Sequence, residues 1–274
     1  YRGFFFHTTP ETIAFGAAPI ARYDALRPRI LPLLACLGLE IQLGGHGLSG
    51  LLPRRLFKRE PELFRMAGGE RRSDRNFCAS NPRTLEIVTS NFAAFVRAHP
   101  EVSVFHFWPD DLPGGGWCSC PACSGLSPAA QSLAAARALA RVLERERPGA
   151  RLSFLAYHDT EDSLGGGAAE PLPPNLELLW APRKRSWAAG YGDPASALNS
   201  GSRERYEAAT AAAPGRVAIF EYWEDAILFK ASVPPLSRTM AADLAYYAAL
   251  AGGKRPSSIG ILLTGSGQIG RAHV

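Results

Sequence analysis

The 274-residue sequence lacks any run of ~18 apolar residues, which excludes an obvious membrane-spanning helix. It opens Tyr1-Arg2-Gly3, with no initiator Met, no basic n-region and no apolar h-region, so no signal peptide is readable. Lysine is scarce, and almost all of the 30 basic residues are Arg in an Ala-, Gly- and Pro-rich background. That bias resembles GC-rich coding more than an evolved nucleic-acid surface. No basic stretch is interleaved with aromatics as on an RNA-binding sheet, so the net charge of +5 points to no nucleic-acid partner. A mildly positive field does favour acidic sugars. No internal repeat occurs at solenoid spacing. The last six residues, Ile269-Gly270-Arg271-Ala272-His273-Val274, read as one translation frame of a sequencing adapter. The expectation is therefore a fragment cut at both ends, native to about Gln268, with a non-native tail at 269–274 and further domains beyond it.

What is present suits one large α/β domain over 1–268. Hydrophobic residues make up 46% of the chain, and ~250 residues is usual for an eight-fold β/α barrel. Short apolar runs alternate with longer Ala/Leu/Arg stretches, the βαβα rhythm of a mainly parallel sheet. Strands are expected at Gly3–His7, Leu39–Gly44, Asn76–Cys78, Val102–Trp108, Leu152–Tyr157, Leu176–Ala181, Val217–Tyr222 and Ile259–Leu263. Eight is the number that a closed (β/α)8 barrel of the TIM type requires, although a fragment leaves such a barrel incomplete. Helices are expected over Thr84–Ala98, opened by Asn81-Pro82, and from Ser127-Pro128 to about Glu146. Two more fall at Asn199–Ala213 and Ser237–Ala251. The loops that follow the strands are long and rich in Gly, Pro and charge, as where barrels build their sites.

Polar residues gather at those strand ends. His7 and His46 follow the first two strands, Trp108-Pro109-Asp110-Asp111 the fourth, and Tyr157-His158-Asp159 the fifth. Arg183, Lys184 and Arg185 follow the sixth, and Glu221-Tyr222-Trp223-Glu224-Asp225 the seventh. Aromatic faces stack on pyranose rings, and two carboxyl groups across a cleft supply the acid and the base or nucleophile of glycoside hydrolysis. Asp110 or Asp111 opposite Glu221 is the expected pair, with Glu224 in reserve. Trp108, Tyr157, Tyr222, Trp223, His46 and Arg183 are the expected substrate contacts. Each has a plainer reading beside it: Asp110-Asp111 as a turn cap, Arg183 and Arg185 as a solvated cluster, Tyr157 as core. Glu221 is harder to dismiss, because it interrupts the apolar run Val-Ala-Ile-Phe-Glu-Tyr-Trp, and an unpaired buried carboxylate is costly.

Cys118-Ser119-Cys120-Pro121-Ala122-Cys123 is the most unusual local pattern. With Cys78 it offers four thiolates for a structural zinc, or two disulfides, and either would staple the loop that bears Asp110 and Asp111. Redox chemistry is a third reading. Cys36, in the apolar stretch Leu33–Leu39, is expected to be a buried free thiol.

In their order these features resemble the bacterial DUF4838 family. The resemblance rests on Glu60-Pro61-Glu62-Leu63-Phe64 with Gly68-Gly69-Glu70-Arg71, then on Asn76-Phe77-Cys78-Ala79-Ser80-Asn81-Pro82. It continues through Asp110 or Asp111 with Trp117–Cys123, Leu155-Ala156-Tyr157 and Phe220-Glu221-Tyr222-Trp223. It implies a barrel like those of α-glucuronidases and hexosaminidases, in exported proteins with additional domains, with Asp110 or Asp111, Tyr157 and Glu221 at its mouth. Two departures, Ala134-Ala135-Ala136 where an Asn is expected and the loosened Gly114-Gly115-Gly116, imply altered substrate binding. The expected function is hydrolysis of a glycosidic bond in a polysaccharide or glycan, without a catalytic cofactor. A non-catalytic carbohydrate-binding barrel and a zinc- or disulfide-stapled structural domain are the alternatives. Fold alone does not choose among them.

Overall fold

Parallel β-strands alternating with helices form the framework of the chain, in a computed structural model that describes residues 3–8, 18–112, 114, 116–161, 171–225, 228–230 and 234–261. Of residues 3–8, 18–22 and 261, the backbone alone is described. Two compact units divide the chain: Tyr1–Phe154 with Pro173–Leu176, and Leu155–Leu172 with Glu177–Val274. No helix among the described residues is long and apolar enough to cross a membrane.

The first unit begins with β1 (Gly3–Thr8), α1 (Ala18–Cys36) and β2 (Glu40–Gly45). A hairpin of β3 (Phe64–Ala67) and β4 (Glu70–Phe77) follows, then α2 (Pro82–Ala98), β5 (Val102–Phe107), α3 (Pro128–Glu146) and the start of β6 (Arg151–Ala156). β1, β2, β5 and β6 form parallel ladders in that order, with His7 beside Gly44, Gly44 beside His106 and His106 beside Ser153. Gly44 is required at that place. Its φ is +128°, and a Cβ there would lie 1.9 Å from the His106 carbonyl oxygen.

Alternation along β5 divides its side chains between two faces. Phe105 and Phe107 meet Phe92 and Phe95 of α2 edge-on, with ring centroids 5.1–6.3 Å apart. Of these rings Phe92 and Phe105 are fully buried, and each stabilises the fold by about 1.5–3 kcal/mol. On the opposite face His106 bonds Ser153 Oγ at 2.6 Å and Gln42 Oε1 at 3.2 Å. Both helix starts follow the expected capping. Asn81 accepts from the Arg83 and Thr84 amides ahead of Pro82, and Ser127 accepts from the Ala130 amide ahead of Pro128.

The second unit holds the bulk of β7 (Leu176–Trp180), α4 (Ala197–Ala212), β8 (Val217–Glu221), α5 (Ser237–Ala249) and β9 (Ile259–Ile261). β7, β8 and β9 pair in parallel. Every residue of β7 and β8 is buried, as in sheets covered on both faces.

Seven of the eight expected strands thus lie in parallel ladders. The exception is Asn76–Cys78, which is the end of β4 and pairs antiparallel with β3. Its preceding residues, Glu70-Arg71-Arg72-Ser73-Asp74-Arg75, form a charged, largely exposed hairpin arm that the apolar-run criterion passes over. The described residues therefore make an α/β fold of parallel strands and helices, one parallel strand short of eight. Two further expectations change. α1 was not foreseen, because Pro28 and Pro32 lie inside it. Cys36, at its end, is exposed rather than buried, since α1 turns Tyr23 and Leu34 inward and leaves Leu33, Cys36 and Leu37 in solvent. Residues 262–274, including Leu262, Leu263 and the terminal hexapeptide, lie outside the described residues, as does the His7 side chain.

Candidate functional site

In the first unit the loops after β2 and β5 are tied together by backbone. The Trp108 amide donates to Gly45 O at 2.8 Å and the Leu48 amide to Trp108 O at 3.0 Å, extending the ladder beyond the strands. His46 is buried, with Nδ1 2.6 Å from Pro109 O and its ring edge-on to Trp108. Trp108 is itself buried and donates its indole N–H to Ser153 Oγ at 2.7 Å. Asp110 is half-buried and held from two sides. Ser49 Oγ donates to its Oδ1 at 2.6 Å, and its own amide donates to Asn76 Oδ1 at 2.9 Å. The other end of Asn76, Nδ2, and one guanidinium nitrogen of Arg54, Nη1, are buried donors with no acceptor among the described residues. Burial lowers the Arg54 pKa, and the charges of Asp110 and Asp74 oppose that shift. Asp111 is half-buried beside Asp110.

The four expected cysteines do converge. Cys78, Cys118, Cys120 and Cys123 are all buried, and their sulfurs lie within 4.8 Å of one another. Cys78 Sγ is 3.6 Å from Cys120 Sγ and 3.7 Å from Cys123 Sγ, and all four are free thiols. Gln131, in the first turns of α3, clamps this loop. Its Oε1 accepts the Cys118 amide at 3.0 Å, and its Nε2 donates to Cys118 O at 3.1 Å and Leu126 O at 3.3 Å.

In the second unit the strand ends carry charge. Glu221, the last residue of β8, is fully buried and ion-paired with Arg185, whose Nη1 lies 3.1 Å from Oε1. The same guanidinium makes a two-pronged pair with Asp243, Nη1 to Oδ2 at 2.8 Å and Nη2 to Oδ1 at 2.9 Å. It is sandwiched over the Trp187 and Tyr191 rings. Tyr247 donates its hydroxyl to Glu221 Oε1 at 2.5 Å, and Trp223 donates its indole N–H to Asp243 Oδ2 at 2.8 Å. One cation thus faces two carboxyl groups. Glu221 Oε2 is buried with no hydrogen-bond partner among the described residues. Burial pushes the Glu221 pKa up from the ordinary 4.5 to about 7, against the opposing pull of Arg185 and the Tyr247 hydroxyl.

Beside this network stands a second group from the same strand ends. Arg183 donates to the Tyr157 hydroxyl at 3.0 Å, pairs with Asp225 at 3.2 Å and lies over the Tyr222 ring. Tyr157 and Tyr222 stack with centroids 6.2 Å apart and planes 20° apart. Glu224 projects from the turn after β8 and is exposed.

Each unit therefore brings some of the expected residues together. His46, Trp108, Asp110, Asp111 and the four cysteines belong to the first unit, and Tyr157, Arg183, Tyr222, Trp223, Glu224 and Glu221 to the second. Sequence reasoning did not single out Ser49, Asn76, Gln131, Asp243 or Tyr247 as parts of a site. For Asp243 and Tyr247 a signal existed: they are four residues apart on α5, and so share the face that it buries.

The model of the family described as "Domain of unknown function (DUF4838)" matches residues 34–165. That span covers the cysteine cluster, Asp110 and Tyr157 and stops before Glu221. No curated protein matches the chain. Among solved structures, one match is a beta-galactosidase from Rahnella sp. R3, at 15% identity and a TM-score of 0.37. The alignment covers 82% of this chain and 48% of that one, so the chain spans about half the length of that structure.

Proposed function

We propose that this chain, whose residues 34–165 match the DUF4838 model, is part of a glycoside hydrolase in which Glu221 serves as base or nucleophile. The observation that carries the reading is the state of Glu221. Arg185 and Tyr247 fix one carboxylate oxygen, while the other makes no bond to protein among the described residues. A fixed carboxyl group with one uncommitted oxygen and a pKa of about 7 is suited to taking or giving a proton near neutrality. Asp110 is oriented by Ser49 and Asn76 and keeps partial access to solvent. Tyr157 and Tyr222 are buried and stacked on each other, and Arg183 beside them keeps partial solvent access as a donor for sugar hydroxyls. Acid–base chemistry by carboxyl groups needs no catalytic cofactor.

A second reading has its own support. Glu221 has no exposed surface and shares Arg185 with Asp243, so the network also serves as a buried ionic tie between β8, α5 and the loop after β7. In that reading the chain binds glycans or holds loops without cleaving anything. Hydrolysis of a panel of aryl glycosides by the wild type and Glu221→Gln separates the two. The hydrolase reading expects turnover of at least one substrate, lost in a variant that unfolds at the wild-type temperature. Full activity of Glu221→Gln removes Glu221 from the mechanism. An inert wild type that retains glycan affinity favours the second reading.

A further inference from the structure

We propose that Cys78, Cys118, Cys120 and Cys123 bind one zinc ion in a closed tetrahedral site, and that this ion fastens the β3–β4 hairpin to the loop carrying Asp110. The spacing of the sulfurs is the first ground. Zinc with Zn–S bonds of about 2.3 Å sets its four sulfurs ~3.8 Å apart. Here Cys78 Sγ lies 3.6 and 3.7 Å from two partners, and every sulfur is within 4.8 Å of every other. A disulfide joins sulfurs two by two at about 2.05 Å. This cluster has no such pairing, because Cys78 stands almost equally close to Cys120 and Cys123.

The surroundings suit a thiolate centre as well. A tetrathiolate zinc carries two net negative charges, and Cys118 Sγ accepts the Met66 amide at 3.3 Å with Arg71 Nη1 at 3.9 Å. Cys120 and Cys123 are joined by a tight turn, in which the Cys123 and Ser124 amides both donate to Cys120 O at 2.8 Å. Between zero and 3% of each cysteine is exposed, so no ligand position is left open to water, the mark of a structural rather than catalytic zinc. Four sulfur donors in a tetrahedron select zinc or iron over oxygen-seeking cations such as magnesium or calcium.

The four ligands come from two distant segments, and the ion joins them. Cys78 follows β4 directly, and Asn76, two residues earlier, receives the Asp110 amide. Cys118, Cys120 and Cys123 belong to the loop after β5, whose far end Gln131 holds. The hairpin also meets this loop directly, since the Ser119 amide donates to Met66 O at 2.9 Å.

The test uses the whole chain, expressed in zinc-supplemented medium and purified without chelator. Elemental analysis is expected to give one zinc per chain, and denaturation in chelator to release all five thiols, Cys36 included. Zinc far below one per chain, iron in its place, or a non-reduced mass lower by four hydrogens overturns the site. Because cysteine variants are prone to misfold, cobalt replaces mutation as the probe. Tetrahedral tetrathiolate cobalt gives intense ligand-field and sulfur-to-metal bands, unchanged in Cys36→Ser, whereas a weak six-coordinate spectrum contradicts the proposal. For the fastening role, zinc removal is expected to speed amide exchange in residues 64–77 and 109–120 and to spare 176–221. Equal protection with and without metal overturns that part.

Discussion

In the first unit, the groups that hold the loop around Asp110 are sulfurs, amides and a hydroxyl: four cysteines, Gln131, Asn76 and Ser49. In the second, the strand-end loops are held by buried charge, with Arg185 between Glu221 and Asp243, and Arg183 on Asp225. The difference teaches that two physical means of fixing a strand-end loop coexist in one chain, and that they answer to different stresses. The amide hydrogen bonds of Gln131 and Asn76 do not titrate, and four sulfurs on the proposed zinc answer to metal supply and chelators. Buried ions carry a large desolvation cost, which partners must offset, and removing one partner leaves the cost exposed.

The largest effect expected is from Arg185→Met, which leaves Glu221 and Asp243 buried without their cation. Urea denaturation is expected to show a loss of about 3–5 kcal/mol, moderated at low pH where the carboxyl groups protonate. A loss under ~1 kcal/mol would mean that water reaches this network, and the contrast between the units would weaken.

Next in size is Gln131→Ala. It strips the Cys118 amide and carbonyl of their partners, and about 1–3 kcal/mol is expected to go with them. Gln131 and the peptide groups that it leaves unpaired do not titrate, so this loss has no pH dependence of its own, unlike that of the Arg185 variant.

The pH dependence of the wild type sharpens the comparison further. Glu221 titrates at about 7 when folded and near 4.5 when unfolded, so the folded state holds the extra proton between those values. Stability should therefore be highest below pH 4.5 as far as this group is concerned, fall as pH rises to about 7, and level off above it. The slope contributed is at most ~1.4 kcal/mol per pH unit, and Glu221→Gln should flatten it. The smallest effect is from Asn81→Ala in the first unit, where loss of the helix cap should cost about 1 kcal/mol at any pH.

How far the sequence revealed these features depends on how local their causes are. Caps at Asn81 and Ser127, and the apolar runs of β5, β7 and β8, are local and were legible. So was the crowding of cysteines after β5, with Cys78 as the fourth partner. The hairpin was not, because Glu70–Phe77 is charged on both faces over most of its length and only its end looks like a strand. α1 was hidden by two internal prolines, which tertiary context accommodates. Glu221 stood out as an acid in an apolar run, but its partners did not. Asp243 and Tyr247 look ordinary in a helix until α5 is seen to turn both toward β8. A residue's own anomaly is visible in sequence, while the groups that compensate for it are scattered along the chain.

The central claim is that Glu221 is a proton-exchanging carboxyl group rather than a permanently ionised structural anion. A carbon-13 NMR titration of glutamate carboxyl groups, with Glu221→Gln used to assign the signal, tests it without knowledge of any substrate. The account predicts a midpoint of about 7. A Glu221 that stays ionised to below pH 4.5 would contradict it and leave the ion pair with Arg185 as a scaffold.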